Sequence, residues 1–170
     1  MIPTTTMTIS SVEELIHDAI GLLFTEDADL SIDTNERSIT HRLAVHLERR
    51  LRELGIEASV DCEYNRNGTY PKKLVTLVGR LAKGVHAEDL VKDTRARTVF
   101  PDIVVHRRGA DGPNLLVIEL KREGASAEER ERDRHKLRAY IEELGYQHAY
   151  LVLLGKNDMK AIERVPPLDQ

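Results

Sequence analysis

The sequence predicts an α/β fold. Two early segments repeat apolar residues at helical spacing. Later runs rich in Val, Ile and Leu carry strand signals, and a capped, charged helical segment separates the last of these from the pair before it. The predicted order is helix, helix, strand, an insert without a clear pattern, strand, strand, helix, strand.

The first helix is predicted over Ser11–Phe24, where Val12, Leu15, Ile16, Ala19, Ile20, Leu22 and Leu23 are apolar; the acidic stretch TEDAD then breaks the pattern. A second helix is predicted from Thr34 to Leu54, closed by Gly55 as a C-terminal glycine. Its residues Ile39, Leu43, Leu47, Leu51 and Leu54 fall within one arc of about 120° at 100° per residue. From Ile56 to Tyr64 the chain alternates. Ile56, Ala58, Val60, Cys62 and Tyr64 share one face, and Glu57, Ser59, Asp61 and Glu63 share the other, the pattern of a half-buried strand. Asn67-Gly68 signals a turn, and residues 72–98 show no consistent period.

PDIVVHRR (101–108) and NLLVIELK (114–121) are strand signals joined by GADGP, so the pair is predicted to form a hairpin with a long loop. Ser126 and Glu129 have capping-box spacing and open a charged helix that runs to Leu144, before Gly145. QHAYLVLLG (147–155) is the last predicted strand, and VPPLDQ is a tail.

Length and composition bound the function. A chain of 170 residues, 41% hydrophobic and 32% charged, suits a single domain spanning 1–170 with its own core. The lone Cys62 excludes an internal disulfide or a Cys-based zinc site, and the seven His show no HExxH spacing. No apolar stretch approaches the roughly 20 residues that cross a bilayer, and the start lacks a secretory pattern, so no membrane partner and a cytoplasmic location are expected. Net charge is −4, yet Tyr64 to Arg108 holds ten Lys or Arg against four acids. Such a segment can attract phosphates even on an acidic protein, or serve as an ordinary solvated loop.

Glu119 and Lys121 sit two apart at the end of the most apolar strand and therefore project to one face. Alone, they read as an ordinary ion pair where the strand emerges. Asp102 changes the reading, because the start of the first hairpin strand lies beside the end of the second. Two carboxylates brought together repel unless a cation lies between them, and hard oxygen donors beside water suit Mg²⁺ or Mn²⁺. Glu36, central on the apolar face of the second helix, is a candidate third acid; it also has the spacing of a capping pair with Asp33. Glu63 is the alternative.

Pro101-Asp102 followed one strand later by Glu119-Leu120-Lys121 resembles the signature of the PD-(D/E)xK nuclease superfamily. The resemblance covers roughly 34–154 and implies a restriction-endonuclease-like αβββαβ core, a central mixed sheet flanked by helices, with the first helix as an N-terminal addition. It implies that Asp102, Glu119 and Glu36 hold Mg²⁺ or Mn²⁺, that the Leu120 carbonyl adds a ligand, and that Lys121 assists the attacking water. Arg130 and Arg134 lie with Asp133 on the side of Leu137, Ile141 and Leu144, with Lys136 aimed less well; a solvated, salt-bridged helix accounts for most of these charges. Arg66, Lys72, Lys73, Arg95, Arg97, Arg130 and Arg134 are the candidate nucleic-acid contacts, with Tyr64 and Tyr70 as stacking platforms. The implied partner is nucleic acid, DNA before RNA, and many such nucleases are homodimers. The rival readings are a catalytically inactive nucleic-acid-binding or protein-interaction module on the same fold, and a stand-alone domain acting on RNA or in defence.

Overall fold

The computed structural model describes residues 7–30, 36–64, 100–108 and 113–167. The Asn67-Gly68 turn, the insert at 72–98, Tyr70, and the basic candidates Arg66, Lys72, Lys73, Arg95 and Arg97 lie outside the described residues. Within them the chain forms an α/β structure of three helices and an open, mixed, five-stranded sheet. No described helix is long and apolar enough to cross a membrane.

Helix α1 (Ile9–Glu26) starts where the Thr8 hydroxyl accepts the Ser11 N–H, and it buries Val12, Leu15, Ile16, Ala19, Ile20 and Leu23. Helix α2 (Glu36–Glu53) buries Ile39, Leu43, Leu47 and Leu51 along one stripe. Leu54, predicted on that stripe, is 54% exposed, because the helix has already stopped. Gly55 at φ 69° allows a Schellman ending: its N–H reaches Arg52 O and the Ile56 N–H reaches Leu51 O. That turn swings Leu54 out of register. Asp27 ties α1 to α2 by accepting from Arg42 Nε at 2.8 Å and lying 2.6 Å from His46 Nε2.

Strands β1 (Ser59–Cys62), β2 (Ile103–His106) and β3 (Asn114–Arg122) form an antiparallel meander. The predicted hairpin is present, with Ile103 opposite Ile118 and Val104 opposite Val117. Helix α3 (Ala127–Leu144) then carries the chain to β4 (His148–Leu154), which runs parallel to β3. The capping box is formed on both sides: Glu129 N–H to Ser126 Oγ at 3.2 Å, and Ser126 N–H to Glu129 Oε2 at 2.8 Å. A fifth strand, β5 (Met159–Arg164), pairs antiparallel with β4 where no strand was predicted. Its sequence, MKAIER, lacks a clean alternation because it is an edge strand with only partly buried residues.

Alternation divides the core in two. Ile103, Val105, Leu116, Ile118, Leu120 and Val152 face α1 and α2. Val104, Val117, Ala149 and Leu151 face Leu137, Ala139 and Tyr140 of α3. Ile56, Ala58, Val60 and Cys62 pack against the first core as predicted, but Tyr64 joins the second. Glu63 explains the switch: its φ of 49° lies in the left-handed region, so the alternation ends there. Tyr64 packs against the His106 ring at 4.5 Å between centroids.

Candidate active site

β1 and β3 end, and β2 begins, at the same edge of the sheet, and the first turn of α2 lies beside that edge. A cleft of ≈ 480 Å³ opens there, lined by Glu36, Arg37, Thr40, Cys62, Glu63, Asp102 and Lys121. Three of the predicted site residues, Asp102, Lys121 and Glu36, thus share one cavity. So does Glu63, the alternative acid, whose Oε1 lies 3.3 Å from Arg37 Nε.

Asp102 stands one residue before β2. Its Oδ2 accepts the Leu120 N–H at 2.7 Å, so the carboxylate satisfies a backbone donor that β2, starting at Ile103, has not yet reached. A residue's N–H and C=O leave a strand on the same side, so the Leu120 carbonyl points toward that edge as well. The Asp102 carbonyl meanwhile accepts from the Glu63 N–H at 3.2 Å, joining β1 to the start of β2.

Glu119 lies deeper. It is two residues past Val117, on the α3 face, and only 2% exposed. Its Oε1 lies 2.7 Å from Lys136 Nζ, a buried ion pair. The Lys136 ammonium also donates to the Phe100 carbonyl at 2.6 Å. Burial pushes the Glu119 carboxyl up to about 8; Lys136 opposes the rise and the Asp102 charge adds to it.

Lys121 is held by α3. Its Nζ lies 3.2 Å from Asp133 Oδ2, a largely buried ion pair. Burial pulls the ammonium down, but Asp133, with Asp102 and Glu119 behind it, leaves it above the ordinary lysine value. Burial also raises the Asp133 carboxyl, against the pull of Lys121. The Cys62 thiol is pushed up to about 11 by burial and the surrounding acids, so it is no nucleophile at neutral pH.

Sequence spacing understates the role of Lys136. The stripe on α3 was centred on Leu137, Ile141 and Leu144, whereas the fully buried residues are Leu137, Ala139 and Tyr140. Recentring on Tyr140 brings 133, 136, 137 and 140 onto one face at i, i+3, i+4 and i+7, and that face carries Asp133 and Lys136 to the sheet. Arg134, a predicted nucleic-acid contact, grips Glu163 of β5 through Nε at 2.7 Å and Nη2 at 2.9 Å. Arg130 lies close enough to help lower the Glu163 carboxyl, after Arg134 itself.

No family model matches the chain, and no curated protein matches it either. A solved structure described as "Crystal structure of SSO0001" superposes with a TM-score of 0.32 at 14% identity, over 93% of this chain and 67% of that one. A likeness that weak leaves the site to be read from its own geometry.

Proposed function

We propose that the chain is a divalent-metal-dependent nuclease that hydrolyses DNA phosphodiester bonds on a restriction-endonuclease-like αβββαβ core. The observation that carries this reading is the gathering of Asp102, Lys121 and Glu36 in one cleft, with Glu119 buried behind them two residues before Lys121 on β3. The order of α2, β1, β2, β3, α3 and β4 supports the same fold assignment.

The donor set suits Mg²⁺ or Mn²⁺. Such ions keep several waters and need only one or two carboxylates, so a preformed cage is not required; among the described residues no group of three or more His, Cys, Asp or Glu makes one. The buried Glu119 carboxylate, satisfied here by an ammonium, is the kind of hard oxygen donor a divalent cation takes. Asp102 and Glu119 would hold the ion, with Glu36 or Glu63 across the cleft and the Leu120 carbonyl at the strand edge. When bound, the cation lowers the pKa of water and neutralises charge growing on the phosphate. Lys121, kept ionised by Asp133, presents a fixed positive charge that orients the attacking water and steadies the phosphate oxygens. Asp133 limits the ammonium's freedom and so aims it.

One observation favours the rival reading of an inactive binding module: Glu119 and Asp133 already have lysine counter-ions within the fold. Incubating plasmid, linear and single-stranded DNA with the purified chain and Mg²⁺ or Mn²⁺ separates the two. Cleavage that disappears in Asp102→Ala and Lys121→Ala supports the nuclease. Cleavage that persists in both variants removes the assignment, and salt-sensitive binding without cleavage favours the module.

A further inference from the structure

The two lysines of the site differ in what they hold. Lys121 belongs to the strand and faces one carboxylate, whereas Lys136 reaches in from α3 and gathers two oxygens from different strand ends. Its Nζ lies 2.7 Å from Glu119 Oε1 and 2.6 Å from the Phe100 carbonyl, two residues before Asp102. An ammonium among converging oxygens occupies the kind of position a small cation takes.

We infer that Lys136 is the resident counter-ion of the cation seat: its ammonium occupies that seat in the cation-free protein and is exchanged for the divalent ion on loading. The inference rests on the nuclease reading and adds a positioning residue to it. Glu119 is 2% exposed, and a buried carboxylate without a counter-ion destabilises the fold. An ammonium at 2.7 Å and a divalent ion at about 2.1 Å on the same carboxylate would repel each other, so the ammonium opposes loading and its withdrawal favours the ion. Lysine suits a counter-ion that moves. Its charge ends a flexible four-carbon stem, so the ammonium can withdraw by rotamer change while α3 stays in place. The Lys136 side chain keeps 16% of its surface exposed, which leaves it a route out. Asp133, one turn earlier on α3, is already engaged with Lys121 at 3.2 Å, so the two lysines have separate duties.

A merely structural salt bridge makes the opposite prediction for cation binding. Removing a structural bridge loosens the site and weakens binding; removing a competing ammonium strengthens it. The test is calorimetric titration of Mn²⁺ into the full chain, in alkaline buffer so that proton competition is small. Lys136→Met is expected to bind Mn²⁺ roughly tenfold or more tightly than the parent, and Lys136→Arg about as weakly as the parent. Thermal melts establish that each variant is folded. A second measurement needs no variant: acetylation of Lys136 in the parent chain, followed by mass spectrometry, should speed up when Mn²⁺ is added. If the parent binds Mn²⁺ and cuts DNA but Lys136→Met binds no more tightly and Lys136 acetylation is unchanged, this inference falls and the nuclease reading stands. If the parent binds no Mn²⁺ and cuts no DNA, both fall.

Discussion

Glu119 carries a heavy electrostatic burden at the residue scale. Its carboxyl is raised from 4.5 to about 8, first by burial and then by Asp102, with Lys136 only partly opposing. A carboxyl whose folded value exceeds its unfolded value holds its proton more tightly when folded. Its favourable contribution is complete below about pH 4.5 and is progressively lost as pH rises to about 8. Glu119→Gln removes that dependence. The melting temperature of the variant minus that of the parent, measured without divalent ions, should become more positive by several degrees from about pH 4.5 to 8. A difference that stays flat with pH would mean that the charge on Glu119 costs nothing in the fold. The same residue shows what sequence can reveal. Its position two before Lys121 and one strand from Asp102 is legible from alternation alone. Its complete burial is not, because that depends on where α3 settles over β3.

α3 is where most of the illegible part resides at the scale of elements. Its ends are written in local chemistry: Ser126 and Glu129 form the opening box, and Gly145 closes it at φ 66°. Ser126→Ala should cost about 1 kcal/mol in chemical denaturation, and Gly145→Ala a similar amount from the strained left-handed backbone. Variants as stable as the parent would show that the caps do not hold the helix. The rotational phase of α3 was harder to read, because Ile141 and Leu144 suggested a stripe that Tyr140 in fact centres. Tyr140 meets Tyr146 edge-on at 5.6 Å, a contact made only after the chain turns at Gly145. β5 was missed for a similar reason. Its Glu163 gains meaning only when Arg134 of α3 lies over it, and Arg134→Met should therefore loosen both elements. Faster amide exchange in β5 and in the first half of α3 of that variant would register the loss; unchanged exchange would show the pair to be superficial.

For the whole molecule, the mixed sheet explains why one end becomes the site. The antiparallel meander brings the end of β1, the start of β2 and the end of β3 to one edge, and the parallel return through α3 lays a charged helix across the last of these. Polar groups can collect there because Asp102 and Lys121 lie just past Ile103 and Leu120, the last core residues of β2 and β3 at that end. An acid-rich edge of this kind would gain stability from a divalent ion. The melting temperature of the parent should accordingly rise with Mg²⁺ or Mn²⁺, as binding to the folded state alone requires, while Asp102→Ala should show little response. An equal response in both would place the ion elsewhere.

Anomalous diffraction from crystals soaked in Mn²⁺ tests the shared cation seat most directly. The expected result is one peak at the sheet edge, within about 2.1–2.3 Å of a carboxylate oxygen from both Asp102 and Glu119, with the Lys136 ammonium moved away. Full Mn²⁺ occupancy elsewhere, with Glu119 still against Lys136 and no peak between the two carboxylates, would contradict it.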